Sequence, residues 1–164
     1  MRIVLPLLTL GLAATASLAM ADRTQKSDAR GDHNGGPFDL RSATVGHAGR
    51  DVVKHRVRGW KAGGVKSLRL EIGGTSGRPS FFVAKLGRKA GMYQYTEEGP
   101  KRRGPAKLTK HSKKSYSFKF DMEIFGHPTR YGWRWIVVTP DKPNGADKLP
   151  NSGVVTHNLA TGRD

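Results

Sequence analysis

The chain has 164 residues, of which 29 are lysine or arginine and 13 are aspartate or glutamate, and it contains no cysteine. This composition excludes disulfide bonds, a thiol nucleophile and a lipoprotein attachment site. The length is enough to bury one hydrophobic core, so we expect a single globular domain whose formal charge of +16 either attracts polyanions or keeps the surface solvated.

The first 21 residues predict a signal peptide. Arg2 supplies a positive start, residues 3–20 carry no charge, and Ala19-Met20-Ala21 fits the small-x-small pattern that signal peptidase cleaves. Polar residues such as Thr9 interrupt the apolar run, which favours cleavage over a retained transmembrane anchor. We therefore expect a protein that is secreted or associated with the cell wall, with no integral membrane segment after cleavage.

The remaining chain is dominated by patterns that are typical of strands. Residues 22–36 are polar and predict a flexible segment, whereas Leu68, Leu70 and Ile72 alternate with polar residues as in a half-buried strand. Strands are predicted for residues 38–45, 52–58, 65–72, 80–86, 92–96, 106–110, 116–120 and 131–138. The 106–110 strand carries the lysines of an edge, residues 100–105 predict a turn, and residues 121–126 predict one helical turn.

Helical periodicity is otherwise nearly absent. About eight or nine short strands separated by close turn signals predict an all-β fold, a two-layer antiparallel β-sandwich of jelly-roll-like type. The expected organisation is one sandwich domain over residues 37–160, followed by a short tail at 161–164.

The catalytic motifs that can be recognised from sequence do not occur in this chain. There is no Gly-x-Ser-x-Gly elbow, no His-Glu-x-x-His pair and no Walker-type phosphate loop, so enzymatic activity has no support. Three histidines from distant segments could still meet in the fold, either as structural hydrogen-bonding groups or as zinc ligands or acid–base groups of a hydrolase. These histidines are His47, His55 and His157, and the candidate acidic partners are Asp39, Asp51 and Asp147.

Acidic residues near the amino-terminal end suggest a structural calcium ion. Asp28, Asp32 and Asp39 bracket an Asn-Gly-Gly run at 34–36, and calcium prefers several carboxylate and carbonyl oxygens on a bent loop. The same residue types are also common in turns that bind no metal.

Aromatic side chains on one strand suggest a binding platform. Residues of this stripe would lie on one side of the strand, where they could stack on sugar rings with flanking arginines as hydrogen-bond donors, or they could pack in the core. Trp60 is a further candidate because it ends a strand beside a flexible turn. The stripe is Tyr131, Trp133 and Trp135, and its flanking arginines are Arg130 and Arg134.

Positive charge is concentrated in the middle third of the chain, where it predicts a basic patch for polyanions. The residues 116–120 alternate aromatic rings with serine and lysine, which is the combination that single-stranded nucleic acid would use. The predicted patch comprises Lys101, Arg102, Arg103, Lys107, Lys110, Lys113 and Lys114.

Several runs resemble known groups of proteins. The run Arg30-Gly31-Asp32-His33-Asn34-Gly35-Gly36-Pro37-Phe38-Asp39-Leu40, together with Tyr131-Gly132-Trp133-Arg134-Trp135 and Val155-Thr156-His157-Asn158-Leu159, resembles uncharacterised exported proteins of actinomycete type. More distantly, Gly-Asp followed by Phe-Asp-Leu before a strand resembles family-nine carbohydrate-binding-module-like domains and the glucodextranase accessory domain. The first resemblance implies export and a fold, and the second implies sugar binding between aromatic rings with calcium as a structural ion.

Together these observations favour an exported, non-catalytic binding module for carbohydrate or an anionic cell-envelope polymer. The alternatives are an extracellular nucleic-acid-binding protein and a histidine-dependent hydrolase.

Overall fold

The computed structural model describes residues 23–32, 36–49, 51–75, 78–126 and 128–159. The predicted signal peptide and the predicted tail at 161–164 lie outside these residues. The described strands are β1 Thr24–Ser27, β2 Leu40–His47, β3 Val52–Gly59, β4 Leu68–Gly73, β5 Pro79–Leu86, β6 Lys89–Thr96, β7 Gly99–Pro105, β8 Lys107–Ser112, β9 Ser115–Asp121, β10 Arg130–Thr139, β11 Lys142–Leu149 and β12 Val155–Asn158.

The strands form two antiparallel sheets, which confirms the predicted all-β sandwich. The five-stranded sheet has the order β1-β2-β3-β9-β8, and the seven-stranded sheet has the order β11-β10-β4-β5-β6-β7, with β12 paired to β10. The chain therefore passes between the sheets after β3, after β7 and after β9. Two 3₁₀ turns, Val65–Ser67 and Glu123–Phe125, are the helical segments of the described chain, and neither has the length or apolar character of a membrane span.

Alternation of side chains along each strand produces the core. In β3, Val53 and Val57 are buried whereas Lys54 and Arg58 are exposed, because successive side chains of a strand point to opposite faces. The inward rows of the two sheets pack on each other, and the ring of Phe118 stacks on that of Trp135 with centroids 5.5 Å apart. This packing leaves each sheet with one outer face.

The strand count and two boundaries differ from the sequence predictions. The described residues contain twelve strands rather than eight or nine, and β1 lies within the segment predicted to be flexible. Residues 100–105, predicted as a turn, form most of β7. Both β1 and β7 are edge strands, so backbone pairing with one neighbour holds them and an alternating apolar pattern is not required. The predicted helical turn at 121–126 and the edge position of the lysine-bearing β8 are confirmed.

Candidate functional site

The predicted aromatic platform on β10 is part of the core. Trp133 and Trp135 are completely buried and Tyr131 is 2% exposed, since β10 is an interior strand whose alternate residues face the opposite sheet. The prediction that these rings stack on a ligand is therefore wrong, and the core alternative is correct. The flanking Arg134 donates from Nε to the buried Glu71 carboxylate on the outer face of the seven-stranded sheet, and Arg130 is exposed at the start of β10.

Trp60 has a different environment from the β10 aromatics. Its ring is half-buried just after β3, and the guanidinium of Arg41 lies 4.4 Å from the ring centroid. The ring lines a cavity of about 450 Å³ together with Arg30, Lys61 and Lys114. Of the predicted aromatic set, Trp60 therefore lies at a cavity, whereas the three β10 rings are buried in the core.

The three predicted histidines do converge, with His55 and His157 buried in the sandwich and His47 half-buried at the end of β2. His55 is completely buried, and its Nε2 lies 2.7 Å from the hydroxyl of Tyr131 on the opposite sheet. The rings of His47 and His157 have centroids 5.8 Å apart, and His157 Nδ1 lies 2.8 Å from the Thr24 hydroxyl. Burial, followed by the neighbouring His157, lowers the pKa of His55 well below its ordinary value. A neutral, enclosed imidazole fits a structural role for His55.

The acidic cluster differs from the predicted one in one member. Carboxylate oxygens of Asp28, Asp32 and Asp147 lie within 4.8 Å of one another, whereas Asp39 accepts a hydrogen bond from the Gly31 amide beside the cluster. Asp147 comes from β11, which no local pattern connects with residues 28–32. Burial raises the pKa of Asp147 to about 7 and that of Asp28 to about 6, with further increases from the neighbouring carboxylates. Calcium at this cluster stays a prediction.

The predicted basic patch is divided among separate regions. Lys101, Arg102 and Arg103 lie on β7 of the seven-stranded sheet, whereas Lys107 and Lys110 lie on β8 of the other sheet. Lys113 and Lys114 form the turn between β8 and β9. The seven residues therefore come from two sheets and a turn, and their action as one patch stays a prediction.

A larger concentration of positive charge lies on the outer face of the five-stranded sheet. Lys54 of β3 is directly opposite Lys119 of β9, and Lys119 is directly opposite Lys107 of β8. The three lysines therefore form one row across three adjacent strands. The other outward cations of β3 are Arg56 and Arg58. We call the outer face with its five cations, Lys54, Arg56, Arg58, Lys107 and Lys119, the cationic face.

Hydroxyl groups surround the arginines of the cationic face. Arg56 is directly opposite Thr44 on one side and Ser117 on the other, and its Nε donates to the Ser115 hydroxyl at 3.1 Å. Arg58 is directly opposite Ser42 and Ser115. A guanidinium held by a neutral hydroxyl keeps its full charge and its remaining N–H donors for another acceptor.

The β1–β3 side of this face contains a groove of about 470 Å³. Its floor includes the small side chains of Ser42, Thr44 and Gly46 on β2, and cations lie on both sides, Arg23 beside β1 and the arginines and lysine of β3. None of the described residues that line the groove is acidic. Asp121 stands at one end of the face, where its carboxylate accepts a hydrogen bond from the Glu123 amide.

The electrostatics of the face affect a neighbouring histidine. His111 Nε2 lies 2.9 Å from the Ser117 hydroxyl on the adjacent strand. Burial lowers the pKa of His111, and the positive charges of Arg56, Lys54 and Arg58 lower it further. The pKa of His111 therefore reflects the charge of the three β3 cations of the face.

The outer face of the seven-stranded sheet has the opposite character. Glu71 accepts hydrogen bonds from both Arg134 and the Tyr95 hydroxyl, and Arg69 donates to Tyr95 while its guanidinium lies 4.7 Å from the centroid of the Phe82 ring. These arginines are engaged with a carboxylate or with aromatic rings. The cations of the five-stranded sheet form no ion pair with a carboxylate within the described part of the chain.

Sequence reasoning missed the cationic face although part of the signal is local. Lys54, Arg56 and Arg58 alternate with buried residues along β3, which indicates one outward row of positive charge. The contribution of β8 and β9 depends on strand pairing, which the sequence pattern does not specify.

A comparison of the chain with protein-family models, curated proteins and solved structures finds no significant match.

Proposed function

We propose that the protein is a non-catalytic binding module for a linear anionic glycopolymer of the cell envelope, which it recognises with the cationic face. Export through the predicted leader would bring it to such polymers. The observation that carries the proposal is the row Lys54–Lys119–Lys107, with Arg56 and Arg58 beside it and no carboxylate lining the adjoining groove.

The lysine row supports a role in binding because its facing positive charges destabilise the free protein. Adjacent strands lie about 4.8 Å apart, and like charges directly opposite each other on a sheet are destabilising. An anionic chain crossing the strands would remove this repulsion. The arginines add planar donors for sulfate, phosphate or carboxylate groups, and the serine and threonine hydroxyls can bond to sugar hydroxyls.

The nucleic-acid alternative is less well supported than the glycopolymer. It relied on stacking by Tyr116, Phe118 and Phe120, and all three rings are buried in the core. The rings beside the cationic face include the imidazoles of His111 and His47, and no phenylalanine, tyrosine or tryptophan is among the described residues that line its groove. Single-stranded nucleic acid depends on aromatic stacking as well as charge, so this face suits a polymer that is bound through its anionic groups and hydroxyls.

The test compares the wild type with the double variant Lys54→Gln/Arg56→Gln and with Arg78→Gln as control. Arg78 is an exposed cation that precedes β5 on the other sheet. Binding to immobilised heparin, neutral dextran and single-stranded DNA is measured over a range of salt concentrations. We expect the wild type to bind heparin in a salt-sensitive way and to bind dextran little. The double variant should lose much of its affinity for heparin, whereas the control should keep its affinity.

Two results would overturn the proposal. One is the absence of binding to heparin and to isolated envelope polymers at low salt. The other is an equal loss of affinity per removed charge in the double variant, which removes two charges, and in Arg78→Gln, which removes one; this would indicate non-specific attraction to net charge. Tighter binding to single-stranded DNA than to heparin at equal salt would favour the nucleic-acid alternative instead.

A further inference from the structure

A second cationic pocket lies beside the edge of the five-stranded sheet. It has a volume of about 480 Å³, and its cations come from the β5–β6 hairpin and from β7 of the seven-stranded sheet. None of its described lining residues is acidic. The four cations of this second pocket are Lys85, Arg88, Lys89 and Arg102.

The second pocket begins where the lysine row of the cationic face ends. Its lining includes Ala106 and Leu108, the two sequence neighbours of Lys107. Lys107 is directly opposite Lys119 on the outer face, whereas Leu108 is directly opposite the buried Phe118 and therefore faces the inner side. The pocket and the lysine row thus lie on the two sides of β8, an edge strand with no further strand beyond it in its sheet.

We propose that the groove, the lysine row and the second pocket form one path, so that the module selects long anionic polymers over short ones. This inference rests on the proposed function of the cationic face. The chain of the ligand would cross the five-stranded sheet at right angles to its strands, pass around β8 and place an anionic group among the cations of the second pocket.

The span of the path sets the length that the ligand needs. Five strands about 4.8 Å apart give about 19 Å across the sheet, and the second sheet lies about 10 Å away, so the full path measures roughly 30 Å. A polymer already bound to the face reaches the second pocket at high effective concentration. A fragment shorter than the sheet cannot occupy both the groove and the second pocket.

The experiment uses heparin-derived oligosaccharides of graded length, some shorter than about 19 Å and some longer than about 30 Å when extended. The second-pocket variant is Arg88→Gln/Lys89→Gln, which changes only exposed residues at the end of the β5–β6 hairpin. Its controls are Arg78→Gln, at the opposite end of β5, and the face variant Lys54→Gln/Arg56→Gln. Circular dichroism establishes that all variants are folded.

We expect the second-pocket variant to lose roughly threefold to tenfold in affinity for the long fragments and to bind the short fragments like the wild type. The face variant should lose affinity for both lengths. If the second-pocket variant matches Arg78→Gln for the long fragments, or weakens short and long fragments equally, the continuous path is wrong while the proposed function stands. If the wild type binds neither length at low salt, both proposals fail.

Discussion

Replacing Lys119 by threonine should stabilise the free protein and weaken its binding to a polyanion at the same time. Lys119 is directly opposite Lys54 on β3 and Lys107 on β8, so the substitution removes two like-charge pairs. Such a pair costs about 0.2–1 kcal/mol, and exposed pairs lie toward the lower end of this range. The expected gain is about 0.5–1 kcal/mol at low salt, equivalent to roughly 1–4 °C in the midpoint of thermal unfolding.

The salt dependence of the gain identifies its electrostatic origin. The Debye length falls to about 3 Å in 1 M salt, less than the strand spacing of about 4.8 Å, so most of the stabilisation should disappear there. Lys101→Thr is the matched control, because Lys101 is an exposed strand lysine directly opposite the neutral Gln94. It reports the effect of threonine in a strand without the removal of a like-charge pair.

The assay is thermal unfolding at low and high salt, followed by heparin binding at low salt. A lower unfolding midpoint for Lys119→Thr, or an increase in the midpoint that high salt leaves unchanged, would show that repulsion between the facing lysines does not destabilise the protein. An increase of the same size in Lys101→Thr would attribute the gain to strand propensity alone. Opposite changes in stability and binding are the signature of a charge row maintained for a ligand.

Three other measurements test separate parts of the structure. Binding of heparin should raise the lowered pKa of His111, which NMR titration of the imidazole would detect, and an unchanged pKa would place the ligand elsewhere. The pKa of Asp147 is raised from 3.8 to about 7, so the free energy of unfolding should decline as pH rises through that range. Chemical denaturation of Asp147→Asn should show a weaker dependence of this free energy on pH there. Repeating the measurement with calcium tests the calcium prediction. Trp135→Ala should cost about 3–5 kcal/mol of unfolding free energy because the ring is fully buried, whereas a cost below about 1 kcal/mol would contradict its place in the core.

Two of the buried titratable groups, His55 and Asp147, should give the protein opposite pH responses. His55, whose pKa is lowered, favours the folded state while neutral, so its contribution is lost as pH falls below about 6.5. The raised pKa of Asp147 causes a loss as pH rises toward about 7. Both effects follow mainly from burial, which disfavours the charged form of either group.

The sequence by itself determined the class of fold and most of the strands. The alternation in β3, β4, β9 and β10 is a local property, because every second side chain of a strand faces the same layer. The same reasoning failed for β1 and β7, whose polar residues are held at sheet edges by backbone pairing. Alternation also left open which face of the Tyr131–Trp135 stripe was covered.

Only the tertiary structure decided which distant residues share a surface. Strand pairing places Lys54, Lys119 and Lys107 in one row, and it brings Asp147 of β11 to Asp28 and Asp32 near the start of the described chain. The physical reason is that the alternation of side chains along a strand is set by adjacent residues. Strand register and the order of strands in a sheet depend instead on how two complete apolar faces fit together. Local pattern therefore shows that Lys54 faces outward, and only the packed sandwich shows which charges it faces.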